Sequence, residues 1–474
     1  MRVVACAAIF AGACSAADFG TVVPIRGVVS DIALDETRGR LYAANFSAYR
    51  VEVVNLATQA LGTPIRISAP PSAVGVSADN RYLVVGEFAK WGAMGTFFGS
   101  GGLTVIDLTN NTRRRVEVET PVLALAFGAD GLALVVSHTQ VFTFNPVTME
   151  LSGISNISVS SVNLPVELGE LPPNIILASI GVSGDRQRIA VLASVNGENQ
   201  DAISAVMRYD VPTRSLQVDF WDSTPPLGPR AVSVDQTGNA AMFGWSQMRY
   251  PGVQSRLWTQ TPAAAGEFEN GGSAWDNLRN LIYAQIPTSG ENGVLHIMDT
   301  DNMTVRERIQ LRENLMGRGL MSGDYNTMYA VSQGGIAIVP VGRLPQTSRL
   351  SAVQEDLLFV ADACNRLVLK QSLDIVALGS VEADFTLSLP QDLRGVTLST
   401  ESGRTPARVE ITIDPARFQS AKGTTAIPLT ITSTEAVNLP PQVRLLINTR
   451  DFDQRGKIVN IPGRLVDMLA DPSR

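Results

Sequence analysis

The side chains in this chain best suited to recognition are aromatic and basic, and most fall in two short stretches. Phe88, Trp91, Phe97 and Phe98 crowd residues 87–102, and Trp245, Met248, Arg249 and Tyr250 crowd residues 245–255. Rings that are apolar on their faces and, for Trp and Tyr, polar at one end suit sugar rings, apolar ligands or a partner protein. The competing use of the same rings is to fold back over the backbone of their own loops. Arg230 and Arg318 each precede an apolar run and offer positive charge to an anion, although a structural ion pair would absorb either guanidinium equally well.

Covalent and acid–base chemistry has less to draw on. His138 and His296 are the two histidines, and each lies in or beside an alternating apolar run, away from a second histidine or a carboxylate pair. That provides neither a metal-ligand set nor a catalytic residue. No Ser/His/Asp or Cys/His order, phosphate-cradling glycine loop or paired-cysteine spacing occurs. Gly99-Ser100-Gly101-Gly102 and Gly271-Gly272-Ser273 are glycine-rich but lead into no helical pattern, so they read as turns. No cofactor and no metal are expected.

Residues 1–17 stand apart. Arg2, the apolar stretch Val3 to Ala13 and the small residues Ser15-Ala16-Ala17 before Asp18 have the pattern of a secretory signal, which predicts a secreted, periplasmic or cell-surface protein. Ala11-Gly12-Ala13-Cys14 resembles a lipoprotein processing site with Ala11 in place of a larger aliphatic residue, so lipid anchoring at Cys14 is a second possibility. Removal of the leader before Asp18 takes Cys6 and Cys14 with it. Cys364 then stands alone and reads as a small buried hydrophobe rather than a nucleophile, with no intrachain disulfide to be made.

Beyond the leader no apolar run approaches the roughly 20 residues a membrane-spanning helix needs. The net charge is −7, from 38 basic and 45 acidic residues, and the one basic cluster is Arg113-Arg114-Arg115, which argues against a nucleic-acid surface. At 474 residues and 45% apolar content the chain is long enough for two or three domains with full cores.

The elements that must carry these side chains repeat. Leu34-Asp35-Glu36-Thr37-Arg38-Gly39-Arg40-Leu41-Tyr42-Ala43-Ala44-Asn45 is an acidic turn followed by a short apolar run. The device returns at Asp79 to Val85, Asp130 to Val136 and Asp185 to Val191, and more weakly at Asp235 to Phe243, Asp276 to Ala284 and Asp324 to Val331. Each copy has an apolar run before it and an alternating run after it, such as Leu103-Thr104-Val105-Ile106-Asp107. Period-two runs bounded by Asn, Asp and Thr read as strands joined by tight turns, and the spacing of about 40–55 residues is that of a four-stranded propeller blade.

Leu41-Tyr42-Ala43-Ala44-Asn45 and Leu103-Thr104-Val105-Ile106-Asp107 resemble the repeat of the secreted bacterial YVTN-type β-propellers over about residues 20–343. The resemblance implies an all-β, seven-bladed propeller across 18–345 and is nearly silent on function. The last repeat lacks an outer strand, and Gly20-Thr21-Val22-Val23-Pro24-Ile25 is a spare one; the N-terminal strand 20–26 is expected to complete it and close the ring. The long insertions, among them Glu87 to Gly102, Ser152 to Pro173 and Trp245 to Ser255, fall in the connections that leave one face. The other face keeps tight acidic turns.

From Ser351 the spacing changes. About seven short strands between 351 and 449 predict a β-sandwich. Ser402-Gly403-Arg404-Thr405-Pro406 followed by Asp414-Pro415 resembles bacterial immunoglobulin-like domains of the BACON type, which implies a spacer or a ligand-binding module. The tail 450–474 matches the start of the chain at a constant offset, with Gly20/Gly456, Val23/Val459, Ile25/Ile461, Gly27/Gly463, Asp31/Asp467, Asp35/Asp471 and Arg38/Arg474 identical. It reads as the opening of another propeller, or as one more sandwich strand with similar turns. The function that follows is an exported, non-catalytic binding or scaffold protein of the cell envelope, with a protein or glycan partner on the elaborated rim. A propeller hydrolase of lactonase type and a fragment of a longer surface-adhesion array are the alternatives.

Overall fold

The computed structural model describes residues 16–88, 99–162, 175–196, 202–221, 231–244, 246–250, 253–256, 271–285, 293–362, 367–418 and 424–450. Trp91, Phe97, Phe98, Arg230, Trp245, Cys364, most of the leader and the tail from 451 lie outside them. Two compact units account for the described residues: 19–306 with 311–342, and 16–18 with 307–310 and 343–450.

The larger unit holds seven sheets among the described residues, each led by an inner strand: Val29–Asp35, Pro71–Val76, Val122–Phe127, Ile175–Val182, Val232–Val234, Gly272–Asp276 and Leu315–Met321. From each, the chain turns back through further antiparallel strands, as in Pro71–Val76, Tyr82–Glu87, Gly101–Asp107 and Arg113–Val118. Successive inner strands lie side by side, and Leu315–Met321 comes back beside Val29–Asp35. Sheets of four antiparallel strands set around a common axis make this unit a β-propeller.

Neighbouring sheets cover both faces of each middle strand. Every residue of Tyr82–Glu87 and of Gly101–Asp107 is buried, so the apolar requirement is continuous rather than alternating. The core is accordingly split into clusters. Val74, Leu83, Val85 and Ile106 pack with Tyr42 and Val51 of the preceding sheet, while Tyr82, Val84 and Leu103 pack with Leu125 and Phe127 of the next. At Gly75 the neighbouring inner strand's side chains fill the space a Cβ would take, so a side chain there would have to displace Leu125, whose Cδ1 would lie at 2.6 Å.

Thr21–Pro24 is the outermost strand of the sheet that begins with Leu315–Met321. It pairs antiparallel with Gly335–Val339, Thr21 opposite Ile338 and Pro24 opposite Gly335. The fourth sheet carries a fifth strand: Asn156–Val162 runs parallel to Ser215–Trp221 on its outer edge. Residues 152–173 are therefore not one long insertion; the alternation Ile157-Ser158-Val159-Ser160 was the strand signal.

A second correction concerns 245–255, expected as a loop. Ser246–Arg249 and Val253–Arg256 are strands, the first paired with Ala240–Phe243. Arg249 stands opposite Ala240, at the end of the sheet that holds the acidic turn.

In the smaller unit two sheets face each other. Leu350–Ala352, Leu369–Ala377, Ala407–Ile413 and Val396–Leu398 form one; Asp356–Asp362, Val443–Arg450, Thr424–Thr432, Asp384–Ser388 and Ser402–Arg404 form the other. Leu373, Ile375, Val409 and Ile411 from the first meet Phe359, Phe385, Leu429 and Leu445 from the second in one apolar cluster, the arrangement of a β-sandwich.

Candidate functional site

The acidic turns that lead out of the inner strands share a local logic. In a Ser-x-Asp turn the serine Oγ donates to the aspartate and accepts the backbone N–H of the residue five positions on. Ser77, Ser183 and Ser322 reach Asp79, Asp185 and Asp324 at 2.5, 2.6 and 2.6 Å, and accept from Tyr82, Arg188 and Thr327 at 2.8, 3.0 and 2.9 Å. The aspartate Oδ1 accepts the N–H two residues on, from Arg81, Gln187 and Asn326. Asp35 and Asp276 use a variant in which an arginine three residues on folds back: Arg38 Nη1 and Arg279 Nη1 donate to their carboxylates at 3.0 and 2.8 Å.

Those turns are stitched to one another. Arg38 donates to Asn80 O and Arg279 to Tyr325 O, Ala129 N–H to Arg186 O, Gly184 N–H to Asp235 O, Gln236 N–H to Asn277 Oδ1, and Gly323 N–H to Glu36 Oε1 at 2.9 Å. Hydrogen bonds also tie neighbouring inner strands, from Val74 N–H to Asp31 Oδ2 at 2.9 Å and between Ser233 and Ser273 at 2.8 Å. These satisfied polar groups hold the axis rigid, because buried donors and acceptors left unpaired are costly.

Inside the turns opens a channel. At the turn end the ends of all seven inner strands line a cavity of about 440 Å³, and at the opposite mouth a second of about 250 Å³ includes Ser30, Phe88, Leu177 and Met316. Arg318 borders both. It lies within its inner strand rather than before it, and Nη1 stands 3.4 Å from Asp31 Oδ1. Burial pushes the Asp31 carboxyl above its usual range, with the Arg318 charge and the Val74 and Ile32 N–H groups pulling the other way. Arg318 Nε is buried without a hydrogen-bond partner among the described residues.

Arg186 also faces the turn-end cavity. No hydrogen bond or ion pair engages its side chain among the described residues. Burial, then the charge of Arg318, lowers its pKa. Sequence reading passed it over because it sits in an ordinary acidic turn; the available signal was an arginine where five of the other six such turns hold Asn or Gly.

The remaining predicted side chains are distributed as follows. Phe88 is buried at the second mouth, 5.6 Å centroid to centroid and edge-on to Phe46. Arg249 Nη2 donates to Thr300 O at 2.6 Å and reaches Asp301 at 3.3 Å, in the next sheet. The Tyr250 ring lies under the Arg208 guanidinium at 4.4 Å, and burial pushes its hydroxyl up to about 12. The structure thus brings Phe88 and Arg318 to one cavity and sets Arg249 and Tyr250 elsewhere. Trp91, Phe97, Phe98, Trp245 and Arg230 lie outside the described residues. His138 Nδ1 stands 2.8 Å from Ile175 O, and His296 is buried within a strand. Among the described residues no three of His, Cys, Asp and Glu gather as a metal site would require, and no helix is long and apolar enough to cross a membrane.

No protein-family model matches the chain, and no curated protein matches it. Solved structures that are similar include Kuenenia stuttgartiensis hydrazine synthase, 14% identical over 70% of this chain and 98% of that one with a TM-score of 0.49. The Myceliophteria thermophila Cps50 (Swd1) beta-propeller domain is 13% identical over 67% of this chain and 99% of that one, with a TM-score of 0.44.

Proposed function

We propose that this is an exported binding or scaffold protein of the cell envelope, built on a seven-bladed propeller closed by its N-terminal strand and carrying an immunoglobulin-like sandwich as a spacer. The observation that carries the reading is the inequality of the propeller's two ends. At the turn end, short turns are hydrogen-bonded to a neighbour at six of the seven junctions. At the other, the strand ends on either side of 88–100, 163–174 and 222–231 are separated by longer stretches of sequence. Binding residues concentrate on connections held by a rigid frame, and the aromatic residues of 88–98 lie in one of them. The leader pattern of residues 1–17 supports export, and the partner class is a protein or a glycan.

A glycan array and a pull-down with the mature chain test the proposal. A ligand retained by the wild type should be lost, by at least about tenfold in affinity, from the Trp91→Ala/Trp245→Ala double variant. A ligand held equally by both proteins would remove the rim assignment.

A further inference from the structure

We propose that the turn end of the channel is an oxyanion site, with Arg186 and Arg318 as the groups that hold carboxylate or phosphate oxygens. The proposal goes beyond the rim reading, since it concerns the opposite end of the propeller.

Three observations converge. The first is backbone conformation. Each inner turn holds one residue in the left-handed region, and at Gly39, Asn80, Gly131, Gly238 and Asn280 it is glycine or asparagine, the residues that accept it most readily. Arg186 occupies that position at φ 57°, against the preference of a long side chain. The other exception, Tyr325, has a structural role: its hydroxyl donates to Gln236 Oε1 at 3.2 Å and accepts from Asn277 Nδ2 at 3.3 Å. The Arg186 side chain has no such role among the described residues, so no local contact accounts for an arginine in this backbone state.

The second is charge. Two guanidinium groups face one cavity, and their mutual repulsion is felt at Arg186. Arg318 has Asp31 as counter-ion on one side, yet its buried Nε has no hydrogen-bond partner among the described residues. Glu36 also borders the cavity, with one carboxylate oxygen taking the Gly323 N–H. An oxyanion seated between the arginines would supply the missing acceptor and relieve the repulsion in one step.

The third is space and lining. About 440 Å³ admits a small polyvalent anion, and Ser183, Ser322, Asn80, Asn277 and Tyr325 border it with polar groups.

The test uses the full chain with inorganic phosphate and with citrate, titrated separately by calorimetry at constant ionic strength against chloride. At least one of the two should bind near one equivalent and raise the melting temperature; which one does so distinguishes phosphate from carboxylate recognition. Arg186→Asn supplies a residue at home in the left-handed region, so it should fold as well as the wild type or better. It should weaken the anion by at least about tenfold and abolish the ligand-induced thermal shift, whereas exposed Arg26→Gln should change neither. Absence of chloride-independent binding in the wild type, or equal binding by Arg186→Asn, overturns the proposal.

Discussion

The two units solve the problem of covering a sheet in different ways. In the sandwich each strand shows one face to the core and one to water: along Ala407–Ile413 Val409, Ile411 and Ile413 are buried while Arg408 and Glu410 are exposed, and Ile427, Leu429 and Ile431 repeat the pattern. One apolar cluster serves the whole unit. In the propeller both faces of the middle strands are covered, the apolar side chains fall into separate clusters between neighbours, and buried aspartates peg the turns together. A sandwich so built depends on one undivided core, whereas the propeller depends on many interfaces and on the carboxylates that register them.

The sharpest blow to that contrast is a cavity in the single cluster. Phe385→Ala, at a ring 2% exposed, should cost the sandwich about 3–5 kcal/mol. All five tryptophans, at 91, 221, 245, 258 and 275, precede residue 343, so their fluorescence reports the propeller alone. Urea denaturation followed by circular dichroism should move, and the tryptophan transition should stay. If the tryptophan transition moves as far, the cores are not separate.

A smaller effect is expected at a peg. Asp276 has no exposed surface and accepts from the Leu278 and Arg279 N–H groups, from Arg279 Nη1 and from the Tyr283 hydroxyl. Asp276→Ala should cost about 3 kcal/mol, visible in tryptophan fluorescence because it removes the counter-ion of Arg279 and the acceptor of the Tyr283 hydroxyl. A change too small to resolve would mean that packing alone registers the sheets.

The gentlest probe is acid. Asp107 takes the Thr109 hydroxyl and N–H and the Arg81 guanidinium, and the Thr109 bonds first, then the hydrogen bond and charge of Arg81, lower its pKa from 3.8 to about 2 against the opposing effect of burial. A depressed carboxyl stabilises the fold above its unfolded value and loses that contribution as pH falls toward 2. Asp107→Asn should therefore flatten the fall in melting temperature between about pH 4 and pH 2. An unchanged slope would show that this turn is not electrostatically anchored.

The same contrast explains what could be read in advance. Sandwich strands announce themselves through alternation, and 407–413 and 424–432 are legible in their residues. Leu369–Ala377 is less legible because Gln371 interrupts its apolar face between Leu369 and Leu373. Propeller strands buried on both faces lose the period, so Asp35, Asp79, Asp130 and Asp185 were the better markers, being set by local hydrogen bonding rather than by burial. The candidate site was less legible. Arg318 was visible as a charge, but its pairing with Asp31 joins residues far apart in sequence, and only the ring of turns brings Arg186 to the same cavity.

Thr21 pairs with Ile338. During synthesis at about 5–20 residues per second, the first strand of the propeller must wait tens of seconds for its mate to be made. Over that interval an unsatisfied ribbon edge is on offer to any extended peptide nearby, another nascent copy included. The pairing of Thr21–Pro24 with Gly335–Val339 cannot form until Val339 has been made, and until then a chaperone that covers the waiting strand would protect the chain most.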